Sequence, residues 1–238
     1  MNKIALAFVV ALIPQVLANA QTAQVVSTFA TTGLIRVVHA SSSTQAIDVF
    51  IDGKLALGNA PYKTATKYDE FPSGVHTILV TPHNARATTL TRQTVAVVAG
   101  RYYTFTLLEA LGKLTSKVFV ARSLNSKPAQ ARVNLFQFLL GSSGIDVIRP
   151  GSSNALLATG LIYSKAKSAY LEPSALNLAI TTTGKAANVL KKLNGMNLVP
   201  GKSYSVFMLG LNGGQGVQAF DALTVEDTLE PGALHPRG

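Results

Sequence analysis

The sequence predicts an all-β protein with two tandem antiparallel β-sandwich domains behind a signal peptide, and three observations carry that expectation. Helical periodicity is scarce after residue 20, while short runs rich in Val, Ile, Thr, Tyr and Phe recur between Gly, Pro, Asn and Ser. The phrase GRYYTFTLLEALGK at 100–113 returns as GKSYSVFMLGLNGG at 201–214, an offset of 101 residues. The N-terminus, MNKIALAFVVALIPQVLANA, has the three regions of an export signal.

In that leader, residues 1–20, Lys3 supplies the positive charge, Ile4 to Ile13 the apolar run, Pro14 the break and Ala18-Asn19-Ala20 the cleavage site. About ten apolar residues are too few for a membrane span, and no later stretch is long and apolar enough to cross as a helix. Residues 21–33, QTAQVVSTFATTG, read as an extended segment and a candidate donor strand. The chain has no Cys, which excludes disulfides, Cys-ligated metals and Cys nucleophiles.

Strands are predicted at about 34–40, 46–51, 54–57, 65–71, 75–81, 92–98, 102–109 and 115–122. Seven or eight short strands with frequent turns suggest a sandwich, immunoglobulin-like or prealbumin-like, as domain 1 over 34–122. Within it, Asp52-Gly53 supplies the two positive φ angles of a type I′ hairpin turn. The polar stretch SLNSKPAQ, 123–130, is the linker, domain 2 covers 131–226, and the Pro/Gly-rich residues 227–238 read as a flexible tail.

The echo extends beyond the opening phrase. Phe71-Pro72-Ser73-Gly74 stands over Glu172-Pro173-Ser174-Ala175 with the same offset, and AIDVF at 46–50 matches GIDVI at 144–148. The small change in offset between these pairs falls in a turn, where insertions are tolerated. A repeat that keeps strand phrases in order and varies its loops is a duplicated domain. Gly100 and Gly201 each fit a tight turn into the next strand. Tyr103 and Tyr204 are expected to tuck their rings inward and bond a turn backbone through the hydroxyl, as a tyrosine corner does. Alternation with Phe105 and Val206 predicts one buried face for each of these strands.

The formal net charge is +10; removal of the leader leaves 20 basic and 11 acidic residues, +9, with +6 on the first half and +3 on the second. The basic residues are scattered, without the interleaved aromatics of nucleic-acid modules, so specific nucleic-acid recognition is not expected. A basic surface favours anionic polymers such as acidic polysaccharide.

IRVVHASSSTQAIDVFIDGK, APYKTATKYDEFPSGVHTILVTP and VVAGRYYTF together resemble the bacterial domain-of-unknown-function family 4397. The pattern R-x-x-H-A-S-P-x-A-x-x-V-D-V-Y-x-D-G, a Tyr pair, P-x-G and a Gly-Tyr strand falls in the first copy on Arg36, His39, Ala40, Ser41, Asp48, Val49, Asp52, Gly53, Tyr62, Tyr68, Pro72, Gly74, Gly100 and Tyr103. Ser42 stands where the family has Pro. The second copy keeps Arg132, Asp146, Val147, Tyr163, Tyr170, Pro173, Gly201 and Tyr204, with NLFQFLLGSSG in place of the His-Ala-Ser phrase. The resemblance implies an exported protein with tandem β-sandwich domains, in which these residues are structural, and it assigns no activity.

His39, Ser41 to Ser43 and Asp48 have the residue types of a hydrolytic triad, but they crowd into ten residues without a G-x-S-x-G elbow. Asp48 and Asp146 recur in both copies while the His does not, which favours backbone capping. His76, His83 and His235 are scattered, and Asp48, Asp52, Asp69 and Glu70 lack a looped calcium cage. The expectation is therefore a non-enzymatic protein without cofactor or metal, exported to the periplasm, cell surface or medium. Its expected partners are anionic surface polysaccharide or envelope proteins. Two alternatives are a self-assembling homo-oligomer using an edge or donor strand and a periplasmic accessory factor for exopolysaccharide modification or export.

Overall fold

The computed structural model describes residues 31–110, 112–151 and 156–234. The leader, residues 21–30 of the candidate donor segment and His235 lie outside the described residues. Domain 1 comprises β1 (Thr32–His39), β2 (Ile47–Ile51), β3 (Lys54–Ala60), β4 (Asp69–Pro72), β5 (Gly74–Pro82), β6 (Thr91–Val97), β7 (Tyr102–Ala110) and β8 (Lys113–Ala121). Domain 2 comprises β9 (Ala131–Leu140), β10 (Ile145–Ile148), β11 (Leu156–Leu161), β12 (Lys165–Leu171), β13 (Ala175–Thr182), β14 (Lys185–Asn197), β15 (Ser203–Leu211) and β16 (Asp221–Glu226). The sheets run β4-β1-β7-β8 and β3-β2-β5-β6 in the first domain, and β12-β9-β15-β16 and β11-β10-β13-β14 in the second. The two orders are the same strand for strand.

The all-β sandwich expectation holds, with a correction to its wholly antiparallel form. β1 pairs with β7, and β9 with β15, in parallel. Parallel neighbours need a long crossover, and here β2, β3, β5 and β6 (β10, β11, β13 and β14 in domain 2) form the opposite sheet in between, while β4 and β12 return to the edge of the first. Eight strands in this four-plus-four order exclude the seven-stranded immunoglobulin pattern and leave the prealbumin-like sandwich.

Each domain has its own core. Ile35, Val37, Val49, Ile78, Phe105 and Leu107 are central to the first, and Val133, Leu135, Val147, Ile180, Val206 and Met208 to the second. A third cluster joins Val38, Ala40 and Leu108 of domain 1 to Phe136, Phe138, Phe207 and Leu209 of domain 2. The expected single buried face of β7 and β15 is thus corrected. Phe207 and Leu209, on the far side of β15 from Val206 and Met208, are fully buried against the other domain. The sheets containing β1 and β9 pack face to face, and the molecule is a stack of four sheets.

The tail is a second correction. Residues 228–234 run back across domain 1 as a strap. Tyr68 donates its N–H to Thr228 and its carbonyl accepts from Glu230; the Asp69 carboxylate accepts the N–H groups of Gly232 and Leu234 at 3.0 Å each. Leu234 is fully buried in the core of domain 1. Pro and Gly here shape a chain held by side-chain and backbone acceptors that sequence composition does not reveal.

The ladders correct one correspondence between the copies. Ile35 pairs with Tyr103 in the first domain and Val133 with Tyr204 in the second, so the counterpart of Arg36 is Asn134 rather than Arg132. Arg132 instead holds the linker, donating to the carbonyls of Ser123 and Leu124.

Candidate functional site

The motif residues sort into three structural devices. The first is an aspartate brace. On β2, Asp48 accepts the N–H groups of Asn59 and Asn84, two residues with left-handed backbone (φ 50° and 59°). On β10, Asp146 accepts those of Gly160 and Gly184, also left-handed (φ 57° and 69°). Burial pushes both carboxyls up, but the donated N–H groups outweigh it and hold them below the ordinary carboxylate value; His83 adds to the effect at Asp48. Asp52 and Gly53 form the hairpin turn with φ 51° and 79°. Asp52 also accepts from Thr77 N–H and meets His76 Nδ1 at 2.6 Å, while His76 Nε2 meets the Pro72 carbonyl beside Ser73 and Gly74.

The second is the tyrosine corner. Tyr103 Oη accepts from Val98 N–H at 2.9 Å and Tyr204 Oη from Val199 N–H at 3.2 Å, each across a glycine turn at Gly100 or Gly201 (φ 70° and 74°).

The third is the junction. Arg36 is 1 % exposed, and each of its three guanidinium nitrogens donates a hydrogen bond. Nη1 donates to Asp227 Oδ1 at 2.6 Å, Nη2 to Ser205 Oγ at 2.7 Å and Nε to Thr104 Oγ1 at 2.9 Å. Its plane lies over the rings of Tyr68 and Phe207, at 4.5 and 4.9 Å. Asp227 also accepts from Asn134, Ser203 and Ser205. Both counterpart residues, Arg36 and Asn134, therefore converge on one aspartate. Tyr68 bonds Thr104 through its hydroxyl.

The residue types of the candidate triad are not brought together. His39 is fully buried, its Nδ1 facing the Ala60 carbonyl at 3.2 Å and its Nε2 without a partner; burial lowers its pKa against the backbone carbonyls. Asp48 meets His83 rather than His39, and Ser41 meets Ser43. Among the described residues no group of three or more His, Asp or Glu side chains converges on a point that could hold a metal ion.

The sequence reading missed a cleft of about 830 Å³ between the domains. Its walls are residues 42–46 between β1 and β2, the turn Pro61–Lys63, and Val217 and Gln218 from the connection between β15 and β16. The strand ends of the two copies show its origin. β7 ends at Ala110 and β8 begins at Lys113, whereas β15 ends at Leu211 and β16 begins only at Asp221. The second copy has inserted a wall.

The tyrosine turn also diverges between copies. Lys63 (φ 70°) follows Tyr62 and donates its N–H to the His39 carbonyl; Ser164 (φ 61°) follows Tyr163 and donates to Gln137. Tyr163 Oη donates to the Glu109 carbonyl at 2.7 Å across the junction. The counterpart of Glu109 is Gly210, and Tyr62 Oη has no partner; burial raises its pKa to about 12.

The likenesses to solved structures are low. A family 41 carbohydrate-binding module from streptococcal virulence factors, described for alpha-glucan recognition, is 10% identical over 74% of this chain and 92% of that one, with a TM-score of 0.23. A family 26 module from Eubacterium rectale Amy13K, in complex with maltoheptaose, is 9% identical over 82% and 97%, TM-score 0.23. A candidate cell adhesion protein from Bacteroides uniformis is 11% identical over 83% and 100%, TM-score 0.28. Scores this low carry no functional argument. No curated protein matches the chain. Residues 33–148, from β1 through β10, match the family model described as domain of unknown function (DUF4397), the family that the sequence resembles.

Proposed function

We propose that this is a non-enzymatic, exported envelope or extracellular protein that binds surface polymers in the cleft between its sandwiches. The observation that carries the reading is that one wall of the cleft is the lengthened β15–β16 connection of the second copy, facing a domain 1 loop rich in Ser, Thr and Gln. Pockets of this size with a few convergent polar groups are the default binding hypothesis. The buried charges strengthen the electrostatic side. Asp48, Asp69, Asp146 and Asp227 are interior and Arg36 is the one interior Lys or Arg among the described residues, so the surface is more basic than the net charge states. Self-assembly through the long edge strand β14 is disfavoured by Lys185, Lys191 and Lys192 and by its three register shifts.

Retention of the mature chain on immobilised cell-wall and polysaccharide fractions tests the proposal. The expected result is retention that Val217→Asp, placed at the cleft wall, weakens about tenfold. No retention at low salt on any fraction would overturn it.

A further inference from the structure

We infer that the cleft takes an acidic saccharide, with Lys63 pairing its carboxylate and Tyr62 forming the plate against which the sugar ring lies. This rests on the polymer-binding reading above. Lys63 is the one charged side chain among the residues lining the cleft. Its two polar contacts, the Ala219 carbonyl and the Asp221 carboxylate, are both at 3.4 Å, the long limit of a hydrogen bond, and its ammonium lies 5.5 Å from the centroid of the Tyr62 ring, so that cation and ring stand together at the cleft. Asp221 has a closer cation in Lys191 at 3.0 Å, so its charge is already answered. The Lys63 ammonium is thus held lightly at the cleft wall with positive charge to spare.

Backbone geometry points the same way. Lys63 occupies the third position of a turn closed by Thr64 N–H on the Pro61 carbonyl, where φ is positive and Gly or Asn is favoured. A Lys there costs about 1 kcal/mol, and such strain is typical of ligand clamps. The other copy tolerates the same φ with Ser164, so the turn does not demand a cation. Beside it, the Tyr62 ring lines the cleft. Its counterpart Tyr163 is spent on the junction through Glu109. Ser42, Gln45 and Gln218 supply neutral donors and acceptors suited to sugar hydroxyls.

The test is calorimetric titration of the mature chain with oligogalacturonate and with its methyl-esterified form, the same sugar without the charge. The ester is expected to bind about tenfold more weakly, and Lys63→Asn, which keeps the left-handed turn, to reduce oligogalacturonate binding by a similar factor without altering ester binding. Tyr62→Ala should weaken both. Lys167→Gln, an exposed cation remote from the cleft lining, should change neither. Equal affinity for the two forms, or equal losses from Lys63→Asn and Lys167→Gln, would overturn the inference and leave the polymer-binding reading standing. If neither these oligomers nor any cell-wall or polysaccharide fraction bound, both would fall. Circular dichroism of each variant separates lost binding from lost fold.

Discussion

At the scale of single residues, His39, Asp48 and Asp146 are each tied to backbone groups. His39 shows this most directly. Burial pushes its imidazole below the ordinary value of 6.5, and Nδ1–H donating to the Ala60 carbonyl fixes a neutral tautomer. The unfolded chain takes up a proton as the pH falls through 6.5, whereas the folded state does not. The unfolded state then binds more protons, so this contribution to stability is full above 6.5 and is lost as the pH falls towards the folded pKa. Asp48 and Asp146, held below 3.8, contribute stability that is present above that value and is lost only in stronger acid. The expected outcome is a urea midpoint that falls between about pH 7 and pH 5 by less in His39→Gln than in the unaltered chain. Gln is chosen because Gln137 occupies the matching place in β9. Parallel midpoint curves for the two proteins would show that the imidazole does not titrate differently on folding. Asp48 and Asp146 could be read as backbone caps from their recurrence alone, whereas the pairing of Asp48 with His83, 35 residues away, has no local signature.

At the scale of elements, local chemistry made most of the strands legible and long-range pairing remained hidden. The Asp52-Gly53 turn and the Val-Ile-Thr runs report their own geometry. The parallel pairing of β1 with β7 does not, because it depends on what lies between them rather than on either strand. Double-sided burial did leave a trace. VNLFQFLL in β9 and YSVFMLGL in β15 are nearly continuous apolar runs, as expected of strands covered on both faces. The strap is the element that composition disguised. Its backbone is paired to Tyr68 and Asp69, and its anchor is Leu234, which completes a core otherwise made by the first domain. Leu234→Ala should therefore destabilise the protein by about 2–5 kcal/mol, and Leu234→Met by less than about 1.5 kcal/mol. Urea denaturation of the two variants measures both. A negligible loss in the alanine variant would mean that the strap rests on domain 1 without completing it.

At the scale of the whole molecule, the duplicated architecture has become a single unit. Each sandwich buries enough apolar surface to form a core, but the contacts that cross between them include three with large energetic consequences. The cluster around Phe136, Phe138 and Phe207 covers Val38 and Leu108; Arg36 reaches Asp227; and the strap carries Leu234 from the end of domain 2 into domain 1. Arg36 is decisive, because a buried guanidinium without Asp227, Ser205 and the facing rings would be an uncompensated charge. Domain 1 separated from domain 2 would carry that cost together with the exposed apolar face of its β4-β1-β7-β8 sheet. Cooperative unfolding follows from this arrangement: neither sandwich can open without stripping the other of part of its burial. Calorimetry should show one transition with equal calorimetric and van't Hoff enthalpies, and Asp227→Ala should lower stability by about 3–5 kcal/mol across the whole transition rather than in one half of it. Two resolved transitions, with only one moved by the substitution, would mean that the sandwiches remain independent. The same coupling bears on the cleft, because its walls come from both domains and keep their spacing only while the junction holds.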